Sequence, residues 1–175
     1  MKPGDHPDFY RIAPPPGTSR ESTIVLDREG RFWHDGGLVE HAALDKAMRS
    51  WITRHPEDGR WILSNGYDWT YFRVEGSPHH VTALRIDDAP SAGQAVGGAA
   101  GAVTLVLAGG DEELLDPATL SLDEEGVVHV RVKGDRDARF SRHAQTELAP
   151  LLEGDPPALR LGGKSWPIAP AAAAQ

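Results

Sequence analysis

The sequence predicts an α+β fold made of two tandem repeats, each with one helix packed on a curved, mostly antiparallel sheet. Three observations support this prediction. Short β-branched and aromatic runs alternate with turns that contain Gly or Asn, which is typical of hairpins and meanders. Two segments carry apolar residues at helical spacing. Turns and helical residues of the first half recur 96 positions later in the second half.

Shifts in composition divide the chain into five predicted segments. Residues 1–22 are expected to form an extended arm, because they contain a Pro-rich run and few apolar residues. A flexible Gly/Ala-rich linker over 91–102 separates a first repeat over 23–90 from a second repeat over 103–168. Residues 169–175 form an Ala/Pro tail. We therefore expect two similar folded parts joined by a linker.

The first repeat is predicted to begin with a hairpin around the turn at 27–30. A helix over about 39–54 follows, and it is terminated by a Pro and an Asp-Gly pair. Its apolar residues fall on one stripe: Leu44, Ala47, Met48, Trp51 and Ile52. Three strands then form a meander, and the first two are joined by the Ser-Asn-Gly turn at 64–66.

The second repeat is also predicted to contain a hairpin that is followed by a helix and by further strands. A buried strand over 103–107 opens it, and strands over 118–122 and 127–132 flank an acidic turn. A helix from about residue 136 is predicted from a further apolar stripe: Phe140, Ala144, Leu148, Leu151 and Leu152. Short strands near 158–161 and 164–168 complete the repeat.

The correspondence between the two halves keeps a constant offset. The turn sequence LDREG at 26–30 matches LDEEG at 122–126, which is 96 residues further along. Five other pairs keep that offset: Leu44 and Phe140, Met48 and Ala144, Ile52 and Leu148, Leu63 and Leu159, Gly66 and Gly162. We interpret the constant offset as an internal duplication. One such unit has a single helix and cannot bury the apolar stripe of that helix alone, whereas two units that share a sheet or pack face to face would complete an α+β core together.

Several segments resemble one bacterial protein family. The run EGRFWHDGGL at 29–38 is similar to the D-G-x-W-x-H-x-G-x-x-I opening of domain-of-unknown-function family 1285. GRWIL at 59–63 and FRVEGSP at 72–78 are similar to that family's G-x-Y-x-L and I-x-V-E-D-A-P motifs, and the resemblance covers 24–168. It implies two repeated α+β motifs and a role in signalling or small-ligand sensing. It implies no chemistry, because no activity is established for the family.

Composition argues against several classes of function and partner. The chain carries 18 Lys and Arg against 26 Asp and Glu, and the net charge of −8 disfavours a nucleic-acid binder. The chain has no Cys, so disulfides and thiolate catalysis are excluded. No run approaches the roughly 20 apolar residues of a membrane helix, and the first residues lack the apolar core of a signal peptide. We expect a cytoplasmic protein with neither nucleic acid nor membrane as partner.

The sequence contains no recognisable catalytic motif. It has no Gly-x-Ser-x-Gly elbow, no His-Glu-x-x-His pair and no P-loop lysine, so we expect no catalytic residue, no metal ligand and no cofactor. One alternative stays open, a metal-assisted hydrolase that would use His34, Asp35 and either His79 or His80. Neighbouring residues of a strand point to opposite faces, so only one of the last two would join such a site.

Aromatic residues concentrate between positions 61 and 72. On a strand, Trp69, Tyr71 and Arg73 share one face, which is either a binding surface or a surface covered by Phe9 and Tyr10 of the arm. The candidate ligand-binding residues are Trp33, His34, Trp69, Tyr71, Arg73 and His79. We therefore predict a non-catalytic module that binds a small molecule or a protein partner in signalling or regulation. A structural homodimer paired through strand edges is a further alternative.

Overall fold

The computed structural model describes residues 2–88 and 100–171, which divide into two compact units at the boundary between Pro78 and His79. Both units combine a helix with mostly antiparallel strands, which confirms the predicted α+β class. The boundary differs from the predicted extent of the first repeat, because residues 79–88 pair with strands of the second unit. Most of the predicted linker lies outside the described residues.

Unit 1, described from residue 2 to residue 78, contains six strands and one helix. In chain order these are β1 (Glu21–Leu26), β2 (Phe32–His34), β3 (Gly37–Leu38), α1 (Ala42–Trp51), β4 (Ile52–Arg54), β5 (Trp61–Ser64) and β6 (Trp69–Val74). The strands form one sheet in the order β3-β2-β1-β6-β5-β4. All neighbours are antiparallel except β1 and β6, so the first and last strands of the unit lie side by side at its centre.

Helix α1 is shorter than the predicted helix over 39–54. The His41 side chain accepts a hydrogen bond from the backbone N–H of Leu44 and so caps the first turn. The helix ends at Trp51, because Ile52 adopts an extended backbone and pairs with Leu63 of β5. Of the predicted apolar stripe, Met48 is 4% exposed and belongs to the core cluster of unit 1, whereas Leu44 is 44% exposed.

The N-terminal segment, residues 2–20, packs on the sheet of unit 1 and is not the extended arm that we predicted. It forms two short 3₁₀ turns, Pro3–Asp5 and Phe9–Arg11, and residues 21–22 already belong to β1. Phe9 is only 4% exposed and packs in a small cluster with buried Ile62 and Trp69. Burial of this one ring explains why a segment with few apolar residues docks on the sheet.

Unit 2 has two sheets and one helix within residues 79–88 and 100–171. Its elements are β7 (His79–Asp88), β8 (Ala100–Leu107), β9 (Glu112–Leu114), β10 (Ser121–Leu122), β11 (Val128–Val132), β12 (Arg136–Phe140), α2 (Arg142–Leu148), β13 (Leu152–Glu153), β14 (Ala158–Leu161), β15 (Lys164–Pro167) and β16 (Ala169–Pro170). The larger sheet has the order β16-β10-β11-β12-β7-β8-β9, and β13, β14 and β15 form the smaller one. No helix in these described ranges or in unit 1 is long and apolar enough to cross a membrane.

The second predicted helix begins later than the sequence indicated. Residues 136–140 form strand β12, which pairs with β11 on one side and with β7 on the other. Ala138 and Phe140 are buried at alternate positions, so this run has the period of a strand and not of a helix. Helix α2 starts only after Ser141, whose hydroxyl accepts a hydrogen bond from the backbone N–H of Ala144.

The two units contain hairpins with the same register. Leu26 lies opposite Phe32 in unit 1, and Leu122 lies opposite Val128 in unit 2. Each hairpin also has a parallel neighbour, because Leu26 pairs with Val74 and Leu122 pairs with Pro170. Every one of these positions in unit 1 is 96 residues before its counterpart in unit 2. The first two residues of the predicted tail, Ala169 and Pro170, form strand β16.

Candidate functional site

A cavity of about 310 Å³ lies between α1 and the sheet of unit 1. Its apolar lining comes from two strands, the helix and the residue after β3: Ile24, Val39, Leu44, Met48, Trp51 and Leu63. Its polar lining comes from His34, Asn65, Asp68 and Thr70, and Trp69 also borders it. The volume is at the lower end of the range for small-molecule pockets, which are concave and mostly apolar with a few polar groups.

Three polar residues of the cavity, Asn65, Asp68 and Thr70, are held by Arg20 of the N-terminal segment and by the loop between β5 and β6. Arg20 forms an ion pair with Asp68 and donates a hydrogen bond to the carbonyl oxygen of Trp69 at 2.8 Å. The hydrogen bond from Arg20 lowers the pKa of Asp68, so the carboxyl group is ionised at neutral pH. Thr70 donates its hydroxyl proton to the carbonyl oxygen of Arg20 at 2.8 Å. Arg20 thus fixes one edge of the cavity.

Asn65 shapes the loop that carries Asp68. Its side-chain oxygen accepts hydrogen bonds from the backbone N–H groups of Tyr67 and Asp68, both at 2.8 Å. This arrangement is an Asx turn, in which the side-chain oxygen accepts the hydrogen bonds that close the turn of the backbone. The following Gly66 has a positive φ of 82°, a conformation that the loop needs and that glycine adopts without strain.

An aromatic cluster covers the face of β6 that points away from α1. Side chains alternate along β6, so the Trp69 ring lies opposite the face that packs on α1. The ring centroid of Trp69 is 6.0 Å from that of Tyr10, 4.9 Å from that of His55 and 5.2 Å from that of Tyr71. The Arg20 guanidinium stacks on Trp69 at 4.6 Å. The face of Trp69 and Tyr71 is therefore covered by the N-terminal segment, which was one of the two alternatives drawn from the sequence.

Two of the six candidate residues border the cavity, namely His34 and Trp69, although the ring of Trp69 packs in the aromatic cluster on the opposite face of the sheet. The other residues of the predicted Trp69, Tyr71 and Arg73 surface have different partners. The Tyr71 hydroxyl donates to Asp58 at 2.7 Å, and Arg73 forms an exposed ion pair with Glu75. Tyr71 and Arg73 therefore each have a polar partner of their own.

Trp33 has a structural partner in the first hairpin. Its indole N–H donates to Asp27 at 2.8 Å, and Asp27 also accepts from the backbone N–H and the guanidinium of Arg31. Burial alone would raise the pKa of Asp27, but these hydrogen bonds outweigh it and lower the pKa. Asp27 is therefore a buried, ionised residue that ties the turn to β2.

His79 belongs to unit 2 and is buried at the start of β7, with 6% of its surface exposed. Its Nε2 atom has no hydrogen-bond partner within the described part of the chain. Burial lowers the pKa of His79 from 6.5 to about 4, and the positive charges of Lys133 and Arg136 act in the same direction. The ring is consequently neutral at physiological pH.

The metal-assisted hydrolase considered from the sequence needs several ligating side chains close together. Within residues 2–88 and 100–171, no group of three or more His, Cys, Asp or Glu side chains could hold a metal ion. His34 and Asp35 form an exposed pair, with His34 Nε2 3.6 Å from an Asp35 oxygen. His34 and Asp35 therefore belong to no metal-binding cluster in this range.

Most residues of the cavity were not among the candidates from the sequence. Met48, Trp51 and Leu63 carried only the signal of a helix or strand core, and Asn65 carried only that of a hairpin turn. Residues that pack imperfectly leave the same sequence pattern as residues that pack fully. Only the motif around His34, at the end of β2, pointed to a binding site independently of these core and turn patterns.

Comparison with solved structures identifies two similar chains. A DUF1285 family protein from Silicibacter pomeroyi DSS-3 has a TM-score of 0.64 and 17% identity, and the alignment covers 92% of each chain. A DUF1285 family protein from Shewanella baltica OS155 has a TM-score of 0.56 and 14% identity, over 75% of this chain and 94% of that chain. This chain has the DUF1285 fold. The family resemblance inferred from the sequence motifs is therefore confirmed for the fold.

The DUF1285 neighbours carry no assigned activity in their names, so they add no chemistry to the cavity. No family model matches the sequence, and no curated protein matches it either.

Proposed function

We propose that unit 1 binds a small, mainly apolar molecule in the cavity between α1 and the sheet, and that the chain acts through this binding and not by catalysis. The observation that carries the proposal is the cavity itself. Six apolar residues line a space of about 310 Å³ beside a buried core, and the polar residues stand at its edge. The space is open to solvent on the side of Leu44, which is 44% exposed, and a concave, mostly apolar pocket with a few polar groups is typical of small-molecule sites.

A role in signalling or regulation is the second part of the proposal. Its support is the family resemblance in the sequence, which implies small-ligand sensing. The cavity is compatible with that role, because a bound molecule would contact both α1 and β5 and would alter how the helix sits on the sheet. A homodimer paired through strand edges stays a prediction.

We also infer that the two units arose as copies of one motif. The support is the common offset of 96 residues in the hairpin register and in the parallel neighbour of each hairpin. The turns agree as well, since Gly30 donates to the carbonyl of Asp27 and Gly126 donates to that of Asp123, each at 3.0 Å. Under this inference the ligand cavity is a feature of the first copy.

The binding proposal is tested by filling the mouth of the cavity. Leu44 lines the cavity and is 44% exposed, so Leu44→Trp adds bulk there at little cost to the core. The matched control is Leu114→Trp, since Leu114 is 72% exposed and does not line the cavity. A fragment and metabolite library is screened by thermal shift on the wild-type protein and on both variants.

We expect hits that raise the melting temperature of the wild type and of Leu114→Trp but not of Leu44→Trp. A ligand present at about 100 times its Kd stabilises the folded state by about 2.7 kcal/mol, which such an assay detects. Hits that stabilise all three proteins equally would show that the cavity is not the binding site.

A further inference from the structure

The carboxylate at the rim of the cavity is already paired. Among the described lining residues Asp68 is the only carboxylate, and its side chain is 75% exposed and forms an ion pair with Arg20, so its charge is hydrated at the rim and is not buried in the cavity. Arg20 is itself held in place, because its side chain is only 16% exposed and it also donates to the carbonyl oxygens of Trp69 and Ile12. An ionised ligand would therefore lose part of its hydration against the apolar lining without gaining an unpaired opposite charge, which disfavours its binding.

Asn65 is an exposed residue at the same rim, and its side-chain amide is a hydrogen-bond donor that a ligand can reach from solvent. Its side-chain oxygen is occupied by the backbone N–H groups of Tyr67 and Asp68. Its Nδ2 group has no protein partner in the part of the chain that the structure describes. Thr70, by contrast, already donates its hydroxyl proton to the Arg20 carbonyl. The edge of the cavity therefore favours a ligand that accepts a hydrogen bond.

From the apolar walls, the paired carboxylate and the exposed amide donor, we infer that the ligand is an uncharged, mainly apolar molecule with a hydrogen-bond acceptor oxygen, such as an amide, ketone or ester. The inference rests on the proposed function and adds the chemical class of the ligand. The apolar part contacts Met48 and Leu63, and the acceptor oxygen binds the Asn65 side-chain amide.

Three compounds with the same chain length separate the classes: hexanamide, hexanoate and hexylamine. Their affinities are measured by calorimetry at neutral pH, and chemical shifts of the Met48 methyl group report whether each compound enters the cavity. We expect hexanamide to bind at least about tenfold more tightly than either charged compound. Tighter binding of hexanoate or hexylamine, with Met48 shifted, would overturn the inference but not the proposed function.

The variant Asn65→Asp tests the role of the amide donor. A carboxylate keeps the oxygen that accepts from Tyr67 and Asp68, so the loop retains its turn, but it replaces the donor by a negative charge. We expect hexanamide to bind roughly three- to tenfold more weakly and hexylamine to bind more tightly. Unchanged affinities for both compounds would refute the contact with Asn65. If none of the three compounds binds or shifts Met48, the proposed site fails together with the inference.

Discussion

The buried ring of His79 makes the stability of the protein depend on pH in a direction that can be worked out. Its pKa is about 4 in the folded chain against an ordinary value of 6.5, chiefly because burial disfavours the charged ring. The lowered pKa means that the unfolded chain binds a proton that the folded chain does not. The contribution to stability is therefore complete above pH 6.5 and is lost as the pH falls toward 4.

The size of the His79 effect follows from the two pKa values. Lowering the pH from about 7 to about 5 costs about 2 kcal/mol of unfolding free energy through this ring alone. Screening by solvent reduces this free-energy change only slightly, because only 6% of His79 is exposed. The substitution His79→Phe keeps a ring of similar size in the buried position and removes the titration.

The assay is urea unfolding of the wild type and of His79→Phe at both pH values. We expect the wild type to lose about 2 kcal/mol more than the variant on acidification. The control is His129→Gln, for which the sign is opposite. The hydrogen bond with Asp137 raises the pKa of His129, so its contribution is complete below pH 6.5 and is lost as the pH rises through the raised pKa.

Equal losses in the wild type and in His79→Phe would refute this reasoning. If the variant does not fold, titration of the His79 ring by NMR in the wild type decides the point. A midpoint near 6.5 in the folded protein would show that the ring is not desolvated as the structure indicates.

Two further predictions concern unit 1. Asp27→Ala leaves the Arg31 backbone N–H and the Trp33 indole without their acceptor, so we expect a loss of about 2–4 kcal/mol in urea unfolding, and a loss below about 0.5 kcal/mol would contradict it. Phe9→Ala removes the buried ring that docks the N-terminal segment, so we expect a loss of about 3 kcal/mol and a red shift of Trp69 fluorescence. Ile12→Ala is the control, because Ile12 is 57% exposed and its loss should cost less than about 0.5 kcal/mol; equal effects of the two variants would argue against the docked segment.

Elements with a strong local pattern could be predicted from the sequence. The hairpin turn at Asp27 carries its own signal, since an Asp side chain and a following Gly form the turn without distant contacts. Helix α1 was recognised because Met48 and its neighbours fall on one stripe, although its end was placed too late. Ile52 has the spacing of a helical core residue, but its backbone pairs with β5, and such a tertiary contact leaves no local trace.

Elements decided by distant partners were harder to predict. Residues 136–140 were assigned to a helix, whereas pairing with β7, more than 50 residues earlier in the chain, makes them a strand. The same pairing explains why the unit boundary falls before His79 and not in the Gly/Ala-rich segment. The cavity was missed for a related reason. In the sequence Asn65 has only the pattern of a turn residue, because Arg20, which pairs with Asp68 at the rim of the cavity, lies 45 positions earlier in the chain.

The hairpins of the two units hold their turns with the same device but with different chemistry. In unit 1 the indole N–H of Trp33 donates to Asp27, and 96 residues later His129 Nε2 lies 3.2 Å from an oxygen of Asp123. An indole keeps its proton at any pH at which the chain is folded, whereas an imidazole donates from both nitrogens only when it is protonated. The other nitrogen of His129 lies 3.0 Å from Asp137, so both contacts are complete only in the charged ring. The contact between Trp33 and Asp27 therefore does not titrate at alkaline pH, whereas the contacts of His129 weaken as this ring loses its proton. Trp33 and His129 differ in their chemistry, yet each ring points a nitrogen at the turn aspartate of its own hairpin.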